Sequence, residues 1–145
     1  MNILFVCTAN TCRSPIAHGI FEKMLADKFG EFNVESAGVF AHPNDEINHM
    51  AEKELLNRGI NFAHRKSVQV TEKLINESDL VFSMTANQRR LLVQNFPAFA
   101  DKIHLLGDYT NRGGDIIDPF GGNRLVYETC ANDIECMLKI LKDMI

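Results

Sequence analysis

The feature that most constrains this chain lies at its start. The unbroken apolar run Ile3-Leu4-Phe5-Val6 ends on Cys7, and from Ser14 onward the apolar residues switch from continuous to helical spacing. A short continuous apolar run suits a strand covered on both faces, as in a parallel sheet. The new spacing predicts a helix over 14–29, with Ile16, Ile20, Phe21, Met24, Leu25 and Phe29 on one face. Glu22, Lys23, Asp27 and Lys28 take the other face. Ser14 reads as the helix cap, Pro15 as its first residue and Gly30 as its stop.

The alternation continues. Phe32, Val34 and Ser36 begin a shorter strand ending at Gly38. A helix over 46–58 is closed by Gly59, with Ile47, Met50, Ala51 and Leu55 or Leu56 facing inward. Thr71 caps a short helical turn that buries Leu74 and Ile75. Leu80 to Met84 is a strand, Ala86 to Asn95 a helix stopped by Pro97, and Ile103 to Leu106 a fourth strand. A Gly-rich connection over 107–123 leads to a terminal helix carrying Leu125, Val126, Cys130, Ile134, Met137, Leu138 and Leu141. Strand–helix units of this kind imply one α/β domain over residues 1–145, a parallel sheet with helices on both faces. Ligands of such sheets bind beyond the carboxyl ends of the strands, so the segment after the first strand is where chemistry is expected.

Composition narrows the function classes. A chain of 145 residues, 46% hydrophobic, can bury a core without disulfides or metal. A net charge of −4 and a pI near 5.7 argue against a nucleic-acid partner. No stretch reaches the ~20 apolar residues of a membrane span, and the apolar start is too short, and lacks the basic flank, of a signal peptide. The chain reads as cytoplasmic, and its four cysteines (Cys7, Cys12, Cys130, Cys136) as free thiols. Cys-x4-Cys and Cys-x5-Cys do not match zinc-ligand spacing, so neither metal nor cofactor is expected. The oligomeric state stays open.

The loop after the first strand reads Cys7-Thr8-Ala9-Asn10-Thr11-Cys12-Arg13-Ser14-Pro15. Five residues between the cysteine and the arginine let successive N–H groups converge on one centre, and the helix start adds partial positive charge there. Arg13 supplies a planar fork matched to two phosphate oxygens. The same field favours the nucleophilic thiolate of Cys7. Alone, Cys-x5-Arg also fits a small core residue ending a strand and a solvated arginine. Arginine has the wrong sign for a helix start unless an anion compensates it, however, and that favours the anion site. Thr8 to Ser14 are therefore the candidate phosphate-binding residues. A general acid is also required, and Asp118 in Asp118-Pro119-Phe120-Gly121-Gly122 offers one. Pro119 keeps Asp118 out of helical angles, the glycines let the loop fold back, and Phe120 can form an apolar wall. Taken alone, Asp-Pro is also a common turn.

With both halves in view, the chain resembles the low-molecular-weight protein-tyrosine-phosphatase family over essentially its whole length. The resemblance rests on Val6-Cys7 to Ser14-Pro15, Ser36-Ala37-Gly38, Asp79 through Met84-Thr85, and Asp118-Pro119. It implies a four-stranded parallel sheet, no metal, phosphorylated protein substrates and a phosphocysteine intermediate. It assigns the nucleophile to Cys7, phosphate binding to Arg13 and the loop amides, thiolate and leaving-group support to Ser14, and the general acid to Asp118. Asn10 would hold the loop shape through its side chain.

Three positions depart from the family pattern. Ala9 stands where the family usually has Gly, and His18 where it usually has Glu; His18 is expected at the surface. Thr11 replaces a branched apolar residue and, with Asp-Pro-Phe-Gly-Gly, resembles the subgroup that removes phosphate from phosphoarginine on proteins. Phosphotyrosine and phosphoarginine both stay open, and Thr11, Phe120 and Phe40 are the candidate specificity residues, with Asn44 beside them. His42, His49, His64 and His104 read as surface or edge residues. Cys12 fits either a thiol that pairs with an oxidised Cys7 or a packing residue. An arsenate reductase of related fold would need further cysteines near the third strand, and Leu80 to Leu92 contains none. A phosphocysteine-relaying sugar phosphotransferase subunit would need neither Arg13 nor an acid, and a phosphoprotein-binding module would lose the nucleophile or the acid.

Overall fold

The computed structural model describes residues 1–28 and 30–145. Four strands, β1 (Asn2–Cys7), β2 (Asn33–Gly38), β3 (Leu80–Ser83) and β4 (Ile103–Leu105), form a parallel sheet in the order β2-β1-β3-β4. The helices are α1 (Arg13–Met24), α2 (His49–Asn57), α3 (Glu72–Asn76), α4 (Ala86–Asn95), α5 (Leu106–Tyr109) and α6 (Arg124–Met144). The pleat sends alternate residues of β1 to opposite faces. Ile3, Phe5 and Cys7 join a core with α1, α2 and α6, whereas Leu4 and Val6 join a second core with Ile75 of α3 and Leu92 of α4. This is the expected three-layer fold with helices on both faces.

The order places β1 in the middle and its carboxyl end at the switch point, since the chain moves to one side for β2 and to the other for β3 and β4. Cys7 pairs with Gly38, the last residue of β2. A Cβ at Gly38 would come within 2.6 Å of the Thr8 carbonyl and 2.9 Å of the Asn10 nitrogen. Only glycine lets the loop after β1 cross the end of its neighbour.

Several boundaries differ from the sequence expectations. Cys12, not Ser14, is the N-cap residue of α1, because the Ser14 hydroxyl is bonded elsewhere. The helix ends at Met24 and a 3-10 turn over Ala26–Lys28 follows. Phe29, which the spacing put on the apolar face, lies outside the described residues. Residues 13–21 are buried on every side, since α1 packs against β1, β2, α2 and α6 together and is amphipathic only toward its end. Helix α2 starts at His49, later than expected, because Asn48 caps it through the Met50 amide; Leu55 is buried and Leu56 exposed. Leu74 is only partly buried, while Ile75 is fully so. The Gly-rich connection holds the short α5. In α6, Leu125 and Val126 are exposed and Tyr127 is buried in their place.

Candidate active site

The loop between β1 and α1 turns its carbonyls outward. Val39 N donates to Cys7 O, Phe40 N to Thr8 O, Ser67 Oγ to Asn10 O and Asn48 N to Thr11 O, at 2.8–3.2 Å. The amides of Thr8 to Ser14 donate no hydrogen bond among the described residues. With the carbonyls held by neighbouring segments, these amides are left without a protein partner among the described residues, at the positive end of the twelve-residue α1. That arrangement suits an anion with several equatorial oxygens.

Asn10 holds the curl. It alone in the loop adopts a left-handed backbone, φ 59°, so Ala9 carries no such strain and its methyl is harmless. Its Oδ1 accepts from Val68 N (2.9 Å) and an Arg65 guanidinium nitrogen (3.2 Å), and its Nδ2 donates to Ser14 Oγ at 2.8 Å. Ser14 Oγ lies 2.9 Å from Cys7 Sγ and can also donate to Ala37 O at 3.3 Å. A hydroxyl has one proton, so Ser14 can give it to Ala37 O beside a thiol or to Sγ beside a thiolate. That switch stabilises the sulfur anion whenever it forms.

Arg13 is buried, one nitrogen donating to Ile116 O at 2.9 Å and another 3.8 Å from Asp118 Oδ2. Ile116 N in turn donates to Met84 O, which fastens the loop that carries Asp118 to the end of β3. Asp118 is itself more than half exposed, and its Oδ1 accepts from Phe120 N at 3.1 Å. Gly121 has a φ of 82°, and a Cβ at Gly122 would come within 2.8 Å of Val126, so the paired glycines allow the fold-back.

A cavity of about 400 Å³ opens between these parts, lined by Cys7, Thr8, Ala9, Thr11, Cys12, Arg13, Asp118 and Phe120. Asn10 and Ser14 support it from behind. Asp45, Glu46 and Asn48 complete its wall. Sequence reasoning missed them, because bonds between distant segments bring that loop to the site: Asn48 N donates to Thr11 O, and Asp45 O accepts from Ser67 N, whose own hydroxyl holds Asn10 O. Arg65, the Ile116 carbonyl and Gln88, whose Nε2 donates to Thr8 Oγ1 at 3.1 Å, were missed for the same reason. Phe40 and Asn44 are exposed and do not border the cavity among the described residues; backbone pairing of Phe40 to Thr8 leaves its ring in solvent.

His18 is a correction: it is buried, not at the surface. Its Nδ1 lies 3.0 Å from Ser36 Oγ, its ring meets Phe62 edge-on, and burial followed by the nearby Arg65 charge pulls it down to about 3. The other four histidines are exposed or, for His104, on the edge strand β4. The Cys12 sulfur is 3.5 Å from the Tyr127 hydroxyl and 3.8 Å from Thr11 Oγ1; burial pushes its thiol up.

A thiol at the end of a central parallel strand, under an amide-lined loop with an arginine fork and a facing carboxylate, defines an α/β protein built for phosphoryl chemistry. The comparisons with known proteins narrow this. Residues 2–145 match the family model described as low molecular weight phosphotyrosine protein phosphatase, and the chain belongs to that family. It is 40% identical over 143 residues to the protein-arginine-phosphatase of Bacillus subtilis strain 168, covering 97% of this chain and 94% of the relative. It is 31% identical over 151 residues to the low molecular weight protein-tyrosine-phosphatase PtpB of Staphylococcus aureus, covering 100% and 99%. A solved structure of the YwlE arginine phosphatase, a cysteine-to-serine variant with a phosphorylated active-site serine, superposes with a TM-score of 0.94 at 35% identity, covering 99% and 95%. The chain is therefore a cysteine-dependent phosphoprotein phosphatase.

Proposed function

We propose that residues 1–145 form one catalytic domain that removes phosphate from phosphoarginine on proteins, in the cytoplasm, where four free thiols are at home. Cys7 is the nucleophile. Its thiolate attacks phosphorus while the phosphate oxygens accept from the loop amides and the Arg13 fork. The phosphorus–nitrogen bond breaks, and Asp118 gives its proton to the departing guanidine nitrogen. Asp118, now a carboxylate, takes a proton from water as that water attacks phosphorus. The phosphorus–sulfur bond then breaks, Ser14 receives the returning thiolate with a hydrogen bond, and phosphate leaves.

The choice of phosphoarginine rests on Thr11. It borders the cavity, half-buried, and among the described residues its hydroxyl is committed only to a 3.8 Å sulfur contact, a weak competitor for a ligand N–H. A branched apolar residue there would favour a flat phenyl ring, whereas a hydroxyl can accept from a guanidinium. The carboxylates of Asp45 and Glu46 on the same wall suit a cationic group better than a ring, although Glu46 is partly engaged by Lys66 and His64. The names of the relatives at 40% and 37% identity point the same way.

Thr11→Ile is the test. If one lost polar contact costs about 1–2 kcal/mol, the ratio of kcat/KM for phosphoarginine over phosphotyrosine peptides falls tenfold or more. A ratio unchanged within about threefold removes Thr11, and with it this choice of substrate.

A further inference from the structure

The wall of the catalytic cavity has a second side. Ile117 directly precedes Asp118, yet it borders a different cavity, of about 240 Å³, together with Leu125, Val126, Thr129, Cys130 and Asp133. The loop carrying the acid is thus the partition between the two: Asp118 and Phe120 face the catalytic side, and Ile117 the other. Large apolar side chains are exposed along this segment without a partner. Ile117 is 80% exposed, Phe120 74%, Leu125 66% and Val126 40%. An apolar surface concentrated in one place and left in water marks a binding surface more often than chance. The floor is uncharged, since burial pushes the Cys130 thiol up to about 12.

We propose that this second cavity is a substrate subsite, which takes one large apolar side chain from the protein segment flanking the phosphorylated residue. The proposal rests on the assignment of the phosphate site to Cys7 and Arg13. It is carried by continuity: Ile117 lines the second cavity and the adjacent Asp118 the catalytic one, so a segment that runs over the partition formed by Ile117 to Phe120 brings a neighbouring side chain to the second cavity while its phosphorylated side chain reaches Cys7. The size fits, because a dry cavity of about 150 Å³ already accommodates benzene. A leucine or phenylalanine side chain fills the space and covers the exposed faces of Ile117, Leu125 and Val126. Asp133 at the rim leaves room for water or a basic neighbour, not for a second apolar group.

The test uses short phosphopeptides, phosphoarginine and phosphotyrosine in parallel, in which one leucine is moved through the three positions on each side of the phosphorylated residue in an alanine background. In one register leucine lowers KM about tenfold with kcat unchanged, the effect of burying one such side chain. Leu125→Glu and Thr129→Trp, both at exposed positions, abolish that advantage while kcat/KM for p-nitrophenyl phosphate stays within twofold of the parent. A scan flat within threefold at every position overturns the proposal, as does a leucine advantage that survives both variants. Sedimentation of the parent and of Leu125→Glu supplies the remaining arm: a parent dimer that the variant converts to monomer assigns the face to a second copy and also overturns it. Failure of the phosphatase site itself looks different, because then neither peptide series nor the aryl phosphate is hydrolysed.

Discussion

His18 makes stability depend on pH in a way the fold allows to be calculated. In the folded chain burial, and then the Arg65 charge, hold its imidazole down to about 3 from an ordinary value of 6.5. Glu22, 3.5 Å from Nε2, favours the cation, but its carboxylate is 60% exposed and screened, so burial prevails. Because the folded value is depressed, the unfolded chain binds the proton first. The contribution is complete above 6.5 and is lost as pH falls from 6.5 toward 3. A pH of 5 lies 1.5 units below the ordinary value that the unfolded histidine keeps, and at about 1.4 kcal/mol per unit the fold loses about 2 kcal/mol relative to pH 8. Other groups also titrate in that range, so the measurement is a comparison. Urea unfolding of the parent and of His18→Gln, whose amide can still bond Ser36 without titrating, is run at pH 8 and pH 5. The parent loses about 2 kcal/mol more than the variant. Equal losses, within the roughly 10–15% error of extrapolation, would refute a buried neutral imidazole, whatever the variant does to stability at pH 8.

Three further outcomes follow from the site. Cys7→Ser abolishes turnover of aryl phosphates but still binds vanadate, because loop amides and Arg13 hold the anion; turnover within tenfold of the parent refutes the covalent step. Asp118→Asn slows hydrolysis most for poor leaving groups, so the dependence of kcat on leaving-group pKa steepens, and an unchanged slope excludes Asp118 as the acid. Asn10→Gly keeps the left-handed backbone but removes the bonds to Ser14, Val68 and Arg65. It costs roughly 2–4 kcal/mol in urea unfolding, with at least a tenfold loss of kcat/KM; a loss below about 0.5 kcal/mol, small beside one net hydrogen bond, means the curl persists without it.

What the sequence alone determined is the part encoded locally. A strand covered on both faces is apolar throughout, so β1 and β3 were legible from Ile3 to Val6 and from Leu80 onward. The cap at Thr71 and the stop at Pro97 are neighbour effects, and α4 appeared where its spacing put it, although its capping residue, Thr85, was not read from the sequence. Cys7, Arg13 and their loop were legible because five residues between a buried strand and a helix leave the chain few other shapes. The position of Asp118 on a loop folded back to the cavity was legible through Pro119 and the paired glycines.

Tertiary structure decided the rest, because it depends on which distant segments touch. Ser14 looked like a cap until Cys7, Asn10 and Ala37 claimed its hydroxyl. His18 looked like a surface residue on a helix face until β2, α2 and α6 closed around α1 and turned a half-exposed position into a desolvated one. Phe40 follows β2 in sequence, but its backbone is spent on Thr8 and its ring points to water, whereas Asp45 and Asn48 reach the cavity. Tyr127 exchanged places with Leu125 and Val126 because the buried face of α6 is chosen by the elements packed on it, α1, α2 and α5, not by hydrophobicity. Spacing sets which side chains share a face; only packing sets which face loses its water.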